Sequence, residues 1–341
     1  MTPEAALLRV IHCLDRAHES GFKAKAFTRA LDVVRTTPAA EIELRVAKKS
    51  LQELDGLGKS TAAVIIDAVE GREPEYLQKI EASSRVDITP QGQVYRDALR
   101  GDCHLHSTWS DGGASVEAMA ATAMAIGHEY MVQTDHSARL TIAHGLNEER
   151  LSEQLDQIAA VNAAIAEAGN DFRILSGMEV DILVDGSLDL SDDMLGRLDV
   201  VVASVHSKLR MDKAQMTERM LMAVASPHVD ILGHCTGRMI GKRPPSDFDA
   251  DDVFAACAQF NTAVEINCRP ERLDPPLELI DLAIEFGCWF SIDSDAHATG
   301  QLEWQPFGCD RAAARNVPIE RIINTLPVGD LLAWTRQSVA A

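Results

Sequence analysis

Residues 101–112 read Gly-Asp-Cys-His-Leu-His-Ser-Thr-Trp-Ser-Asp-Gly, and the other motifs of the chain repeat the chemistry of this stretch. Because side chains alternate along a β-strand, His104 and His106 are predicted to point to the same face, as two ligands of one metal ion would. Asp111 follows in a Ser-Asp-Gly-Gly turn, close enough in sequence to add a carboxylate oxygen. Alone, this cluster is only a weak indication of a metal site.

The composition is that of a globular protein with a large core. The chain has 341 residues, of which 46% are hydrophobic, and no apolar run approaches the roughly 20 residues that span a bilayer. The first ten residues lack the basic-then-apolar pattern of a signal peptide. Seven scattered cysteines without a Cys-x-x-Cys pair argue against a disulfide framework and a zinc ribbon. We therefore predict a cytoplasmic protein with no membrane partner.

The net charge of −20 is unevenly distributed along the chain. Residues 1–90 hold 13 Lys/Arg and 14 Asp/Glu, whereas residues 91–341 hold 19 and 38. Such an acidic excess repels a polyanion at long range, so the sequence does not predict an extended basic groove for nucleic acid. Bound divalent cations would offset part of this charge locally.

Residues 1–85 are predicted to form a small all-helical domain. Apolar residues recur at helical spacing over residues 5–14 and 22–34. Gly21 is predicted to end the first helix, and Pro38 follows the second.

Within this domain, residues 51–65 place a Gly-Leu-Gly turn between two helical segments. Gly56, Gly58 and Lys59 resemble a helix-hairpin-helix motif, in which backbone amides approach a nucleic-acid phosphate near a helix amino terminus. The alternative is a tight interhelical turn in which both glycines meet backbone demands alone. Any DNA-phosphate binding by this segment would be weak and non-specific.

A second domain is predicted over residues 95–341, after a boundary segment at 83–93 with little periodicity. Strands and helices alternate there, an order that predicts a parallel sheet, closed as a barrel or strongly curved, with its active site at the carboxyl ends of the strands. The predicted strands lie near residues 99–105, 130–134, 172–175, 198–205, 229–232, 262–266 and 288–292. The predicted intervening helices span residues 116–126, 148–168, 215–225, 251–260 and 277–286.

Ionisable side chains concentrate at the carboxyl ends of the predicted strands. Six of the eleven histidines lie there with three carboxylates. Burying so many ionisable groups without a cation would cost several kcal/mol each, which favours a multinuclear metal site. The candidate ligands are His104, His106, Asp111, His136, Glu179, His206, His234, Asp295 and His297.

In order and context, these motifs resemble the PHP (polymerase and histidinol phosphatase) superfamily. The matching motifs are His104-Leu105-His106, Thr134-Asp135-His136, Glu179, Ser204-Val205-His206, Gly233-His234 and Ser294-Asp295-Ala296-His297. Longer stretches, at 134–151, 204–243 and 264–273, look most like the PHP domain at the carboxyl end of bacterial family X DNA polymerases.

The resemblance also extends to residues 1–80, which look like the amino-terminal domain of family X. Between Arg85 and Gly101, however, there is no room for the polymerase palm and fingers, so no polymerase activity is predicted. Cys235 stands where the family X pattern usually has proline, which leaves the shape of that loop open.

The resemblance implies an α/β fold, a distorted seven-stranded (βα)7 TIM-like barrel that binds three divalent metal ions. An imidazole-rich ligand set fits zinc, manganese or iron better than magnesium or calcium. By resemblance, His104, His106, Glu179 and Asp295 would hold one ion, Glu179 would bridge to a second held by His206 and His234, and Asp111, His136 and His297 would hold the third.

The predicted nucleophile is a water activated by the metals, since paired metals lower the pKa of a shared water and stabilise charge on both oxygens of a phosphoryl displacement. Asp135 and Asp293 are candidates for orienting ligands or transferring a proton, with ordinary hydrogen bonding as the alternative. The candidates for binding substrate phosphate are Arg238, Arg269, Lys208, Arg272 and Arg139. For each of these the alternative is a loop charge paired with nearby carboxylates.

Three functions are consistent with this sequence. The leading hypothesis is a phosphatase acting on a nucleotide or small metabolite phosphate, favoured by the acidic charge and the missing polymerase core. The second is a manganese-dependent 3′ to 5′ exonuclease that processes DNA ends, favoured by the similarity to family X and the hairpin-like turn. The third, a non-catalytic metal-stabilised binding module, is disfavoured because all nine ligand positions are filled.

Overall fold

The computed structural model describes residues 1–19 and 21–336, which form two compact units. The first holds Met1–Val86 with Thr299–Gln301, and the second holds the rest. Our predicted second domain runs to residue 341, and its last five residues lie outside the described part. Within the described part, no helix is both long enough and apolar enough for a transmembrane span.

The first unit is helical, as predicted. Its apolar side chains, among them Leu7, Phe27 and Ile65, bury one core. The prediction that Gly21 ends the first helix was wrong, because that helix ends at Arg16 and His18 takes the left-handed backbone that glycine more often supplies there, with φ +50°. The helices are α1 (Pro3–Arg16), α2 (Gly21–Thr36), α3 (Ala39–Ala47), α4 (Lys59–Val69) and α5 (Glu75–Ser84).

The turn before α4 requires glycine at position 56. Gly56 has φ +93°, and a side chain there would meet Arg29 at 3.0 Å. The Gly58 N–H donates to Oγ1 of Thr61 at 2.9 Å, and the Thr61 hydroxyl donates to the Gly58 carbonyl at 3.0 Å. The backbone conformation therefore accounts for Gly56, whereas Gly58 has φ −95° and open space around it, so neither packing nor backbone strain requires glycine there. DNA binding by this turn stays a prediction.

The second unit is built on seven parallel strands in the order β1-β2-β3-β4-β5-β6-β7. A parallel bridge between Leu105 and Ala296 joins the first strand to the last, so the sheet nearly closes into the predicted barrel. The strands are β1 (Gly101–Leu105), β2 (Tyr130–Gln133), β3 (Arg173–Asp181), β4 (Val200–Ser204), β5 (Ile231–Leu232), β6 (Ala263–Asn267) and β7 (Phe290–Asp293).

Helices alternate with these strands, and all five predicted helices are present. The structure adds four more, and one of them lies where we placed the domain boundary: Thr89 caps it by accepting the N–H of Gly92 at 3.0 Å, and Pro90 fits its first turn. The helices are α6 (Pro90–Ala98), α7 (Val116–Ala125), α8 (Glu148–Glu167), α9 (Asp192–Leu195), α10 (Lys213–Val224), α11 (Ala250–Phe260), α12 (Leu277–Glu285), α13 (Gln305–Arg315) and α14 (Val328–Thr335).

Apolar packing occupies the amino-terminal ends of the strands. Tyr130, Val200 and Ala263, each the first residue of its strand, share a buried cluster with Leu331 and Trp334 of α14. Polar side chains are thereby left to the opposite, carboxyl-terminal ends, where the predicted ligands lie.

Candidate metal centre

The nine predicted ligands come together at the carboxyl ends of the strands. Three groups of them have candidate ligand atoms that all lie within 4.8 Å of one another. The groups are His106, Asp111, His136 and His297; His104, His106 and Glu179; and His136, Glu179 and His206.

Glu179, near the end of β3, lies at the centre of this cluster and is only 1% exposed. Its Oε1 lies 3.2 Å from Nε2 of His206 and 2.9 Å from Nε2 of His234. Its Oε2 lies 3.3 Å from Nε2 of His104 and 2.8 Å from Nδ1 of His136. With imidazoles on both oxygens, the carboxylate has the placement of a bridging ligand.

Several of these buried atoms lack a partner with hydrogen-bond geometry among the described residues. They include both oxygens of Glu179 and the Nε2 atoms of His206 and His234. A buried polar atom left unsatisfied costs about 1–3 kcal/mol, so four at one point indicate that a further group belongs there. A divalent cation fits, because it accepts lone pairs from imidazole and carboxylate alike.

Asp111 connects the centre to solvent. Its Oδ1 lies 3.6 Å from Nε2 of His136 and 3.4 Å from Nε2 of His297, and its side chain is 37% exposed. His106 lies in this group and also in the group of Glu179. The allocation of each ligand to a particular ion therefore stays a prediction.

Two further carboxylates, absent from our predicted site, contact candidate ligand histidines. Oε1 of Glu265 lies 2.6 Å from Nδ1 of His104, and Oδ1 of Asp181 lies 3.0 Å from Nδ1 of His206. Because a carboxylate only accepts, Nδ1 donates in each pair and Nε2 is left to face Glu179. The sequence signal that could have found Asp181 is its spacing of two residues from Glu179 on β3, because side chains two apart on a strand share a face.

The strand that carries His104 is irregular. The register of β1 against β2 shifts between Asp102 and Leu105. Side-chain carboxylates take up the amides there: Cys103 N–H donates to Oδ1 of Asp293 at 2.8 Å, and His104 N–H donates to Oδ1 of Asp102 at 3.2 Å. Such irregularities re-aim side chains next to functional sites, so both aspartates help to set the direction of His104.

Two of the candidate ligands have strained backbones. His234 has φ +22° and Asp295 has φ +53°, values that residues other than glycine seldom adopt. Each such conformation costs on the order of 1–3 kcal/mol and persists only where its surroundings impose it. The fold therefore holds both side chains in place against a local preference.

Asp135, a candidate for orientation or proton transfer, is fully occupied by hydrogen bonds. It accepts the N–H groups of Ser107 and Ser110 at 2.8 and 3.1 Å, and also both hydroxyls. The side-chain amides of Gln133 and Gln154 donate to it at 2.7 and 2.6 Å. These contacts favour the hydrogen-bonding alternative, with Asp135 holding the loop that carries Asp111.

The electrostatics of this cluster would make protons compete with a metal ion for the same side chains. Burial opposes the charge of His206, but Glu179 and Asp181 outweigh it and raise its pKa to about 9. Burial and the nearby Arg272 lower the pKa of His234 to about 4. Burial also disfavours ionised Glu179, yet the surrounding histidines hold its pKa well below the usual value. Metal binding at His206 would displace a proton.

The five predicted phosphate-binding cations have different surroundings. Arg269 lies 2.8 Å from Nδ1 of His297 and pairs with Glu271, and Arg272 lies 3.2 Å from Oδ2 of Asp295. Arg238 donates instead to the carbonyls of the loop after β6, whereas Arg139 and Lys208 are exposed. Phosphate binding by these groups stays a prediction.

Known proteins are similar to this chain over its greater part, although no family model matches. The DNA polymerase/3′-5′ exonuclease PolX of Bacillus subtilis is 37% identical over 262 residues, which are 76% of this chain and 44% of that protein. A probable phosphatase of Photobacterium profundum is 30% identical over 211 residues, 58% of this chain and 77% of that protein. The chain thus spans less than half of the Bacillus protein.

Among solved structures, a histidinol phosphate phosphatase from Lactococcus lactis, complexed with zinc, L-histidinol and phosphate, is 17% identical. The match has a TM-score of 0.44 and covers 64% of this chain and 94% of that one.

Proposed function

Since this chain belongs to the PHP superfamily, we propose that it is a metal-dependent hydrolase that cleaves a phosphate ester. The observation that carries the proposal is the convergence of His104, His206 and His234 on the two unsatisfied oxygens of Glu179. Divalent metals bound there would supply an activated water and offset charge on the phosphoryl group. We propose three ions, drawn from zinc, manganese and iron.

The chain's own residues would orient the metal ligands and bind the phosphate of the substrate. Asp181 and Glu265 would fix the ring orientations of two ligand histidines, and Arg269 and Arg272, beside Asp295, would place substrate phosphate against the centre. The proposed metal ligands are His104, His106, Asp111, His136, Glu179, His206, His234, Asp295 and His297.

The proposed substrate is a nucleotide or a small metabolite phosphate. The similarity to a probable phosphatase over 77% of its length supports this, as does the net charge of −20. A second candidate is a 3′ to 5′ exonuclease on DNA ends, supported by the 37% identity to the Bacillus protein that bears that activity in its name. Gly56, Gly58 and Lys59 would then add weak contacts to DNA phosphate.

The test compares p-nitrophenyl phosphate, mononucleotides and 3′-labelled single-stranded DNA with the manganese-loaded chain. Release of inorganic phosphate with intact DNA supports the phosphatase, and release of mononucleotides from DNA supports the exonuclease. No turnover by fully metallated protein would overturn both and leave a binding module.

Variants of two proposed ligands test the centre itself. We expect His206→Ala or Asp295→Ala to lower kcat by at least about 100-fold while the melting temperature shows a folded barrel, because each removes a metal ligand. His228→Ala is the matched control, since His228 precedes β5 at the opposite end of the barrel. Near-normal turnover by either ligand variant would contradict the proposed centre.

A further inference from the structure

Three loops on the catalytic face reverse the acidic character of the chain. They follow β4, β5 and β6 and comprise residues 207–212, 235–248 and 268–276. Together they hold seven Lys/Arg and four Asp/Glu, in a chain whose net charge is −20. A local positive surplus in so acidic a protein marks a surface for an anion.

These loops form one continuous surface beside the metal centre. The Ser246 hydroxyl donates to the carbonyl of Leu209 at 2.9 Å, which joins the first loop to the second. The Ile240 N–H donates to the carbonyl of Glu271 at 2.7 Å, which joins the second loop to the third. Ligands His206 and His234 directly precede the first two loops, so the surface begins at the centre itself.

The carboxylates of the loops already have partners, whereas three cations do not. Lys208, Arg210 and Lys242 are exposed and make no ion pair with a carboxylate in the described part of the chain. Asp212 accepts the N–H of Gln215, and Asp247 interacts with the charge of Lys213. Glu271 pairs with Arg269, and Asp274 accepts the backbone N–H and the hydroxyl of Thr236.

Two arginines carry the positive charge from the metal ligands outward. Arg272 lies 3.2 Å from Asp295, and its Nη1 is buried without a hydrogen-bond partner among the described residues. Arg243 lies in the second loop, where its Nε donates to the carbonyl of Gly237 at 2.7 Å. Lys242 directly precedes Arg243 in the same loop.

We propose that Arg210 and Lys242 bind a second phosphate group of the substrate, one that stays uncleaved while the phosphate at the metal centre is hydrolysed. Ester substrates with a single phosphate would leave these cations unused, and phosphate is the anion that Lys and Arg side chains commonly bind. The inference rests on the proposed function and narrows its substrate class to compounds with two or more phosphates, as in a nucleoside bisphosphate or an oligonucleotide.

The experiment measures kcat/KM of the metal-loaded full chain on p-nitrophenyl phosphate, adenosine 3′,5′-bisphosphate and a short single-stranded oligonucleotide. We expect the double variant Arg210→Gln/Lys242→Gln to reduce the preference for substrates with two or more phosphates by about fivefold or more. The preference of the unaltered chain should also fall as salt is added. Arg173→Gln is the matched control, because Arg173 is an exposed cation at the amino end of β3.

The outcomes separate this inference from the proposed function. An unchanged preference in the double variant would overturn the inference and leave the phosphoesterase standing. Failure of the metallated chain to turn over any of the three substrates would overturn both. A loss common to the bisphosphate and the oligonucleotide supports the shared second phosphate, and a loss confined to one of them supports the inference and identifies that compound class as the source.

Discussion

A candidate ligand histidine paired with a carboxylate is the smallest unit of the predicted metal centre. Asp181 accepts from both the ring and the backbone N–H of His206, at 3.0 and 3.3 Å, and is only 2% exposed. This contact sets which ring nitrogen faces Glu179 and increases the basicity of that nitrogen.

We therefore expect Asp181→Asn to weaken metal binding by roughly 10- to 100-fold, because a neutral amide replaces the anionic acceptor. Competition with a coloured chelator measures the affinity. Asp185→Asn serves as the control, since Asp185 is exposed in the next loop and accepts hydrogen bonds from the N–H and hydroxyl of Ser187, two residues away. Equal affinities in the two variants would show that Asp181 does not support its histidine.

His128 gives a pH dependence that does not involve the centre. It is 5% exposed, neither ring nitrogen has a hydrogen-bond partner among the described residues, and burial together with Arg96 lowers its pKa to about 3. The unfolded state, with a histidine pKa near 6.5, binds the proton more readily, so stability is retained above that pH and lost as pH falls below it.

Because of this histidine alone, we expect the unfolding free energy at pH 5 to be about 2 kcal/mol lower than at neutral pH. Denaturant unfolding at several pH values measures the slope. His128→Asn should lose less stability than the unaltered chain over the same range, whatever its stability at neutral pH. If the unfolding free energy of the variant and of the unaltered chain depended equally on pH, His128 would not be buried in its neutral form.

Among the structural elements, the Asp135 network ties the loop before Asp111 to strand β2 and helix α8. A single buried carboxylate connects the loop before Asp111, strand β2 through Gln133, and helix α8 through Gln154. A charged acceptor with so many donors is costly to replace, because each donor left unpaired loses its hydrogen bond in a buried setting.

Asp135→Asn is expected to reduce the unfolding free energy by about 3 kcal/mol, since the amide both loses the charge and turns a donor towards other donors. The same variant should keep the shape of the kcat–pH profile at a temperature where it is folded. Calorimetry and the pH profile measure the two effects. Normal stability with one limb of the profile missing would instead assign proton transfer to Asp135.

At the scale of the whole molecule, we expect barrel stability to be coupled to metal binding. The candidate ligands come from successive parts of the second unit, and several bury atoms that the described residues leave unsatisfied. An ion that binds only the folded barrel stabilises it by mass action, by about 4 kcal/mol at a thousandfold excess over its Kd.

Removal of metal by chelation should therefore lower the melting temperature, and restored zinc or manganese should raise it again. Scanning calorimetry with and without chelator measures the shift. His206→Ala should respond less than the unaltered chain because one ion is bound more weakly. A melting temperature indifferent to chelator would contradict a structural contribution from metal.

Local patterns in the sequence were sufficient to predict the barrel and the set of converging side chains. Each strand is a short apolar run, and parallel strands bring their carboxyl ends to one face, so residues such as His104, Glu179 and Asp295 had to meet. The sequence did not predict helix α6 because Pro90 and Gly92 stand in a segment with little helical periodicity, although a proline fits the first turn of a helix that Thr89 caps.

Only the tertiary structure decided which groups support the ligands. Glu265 and His104 are 161 positions apart, and the shift of register in β1 that aims His104 depends on contacts with Asp293 in β7. The sequence by itself determined the kind of chemistry, because ligand types follow strand ends. Tertiary packing determined which side chains pair with the candidate ligands, because hydrogen bonds need distances and directions that no periodicity specifies.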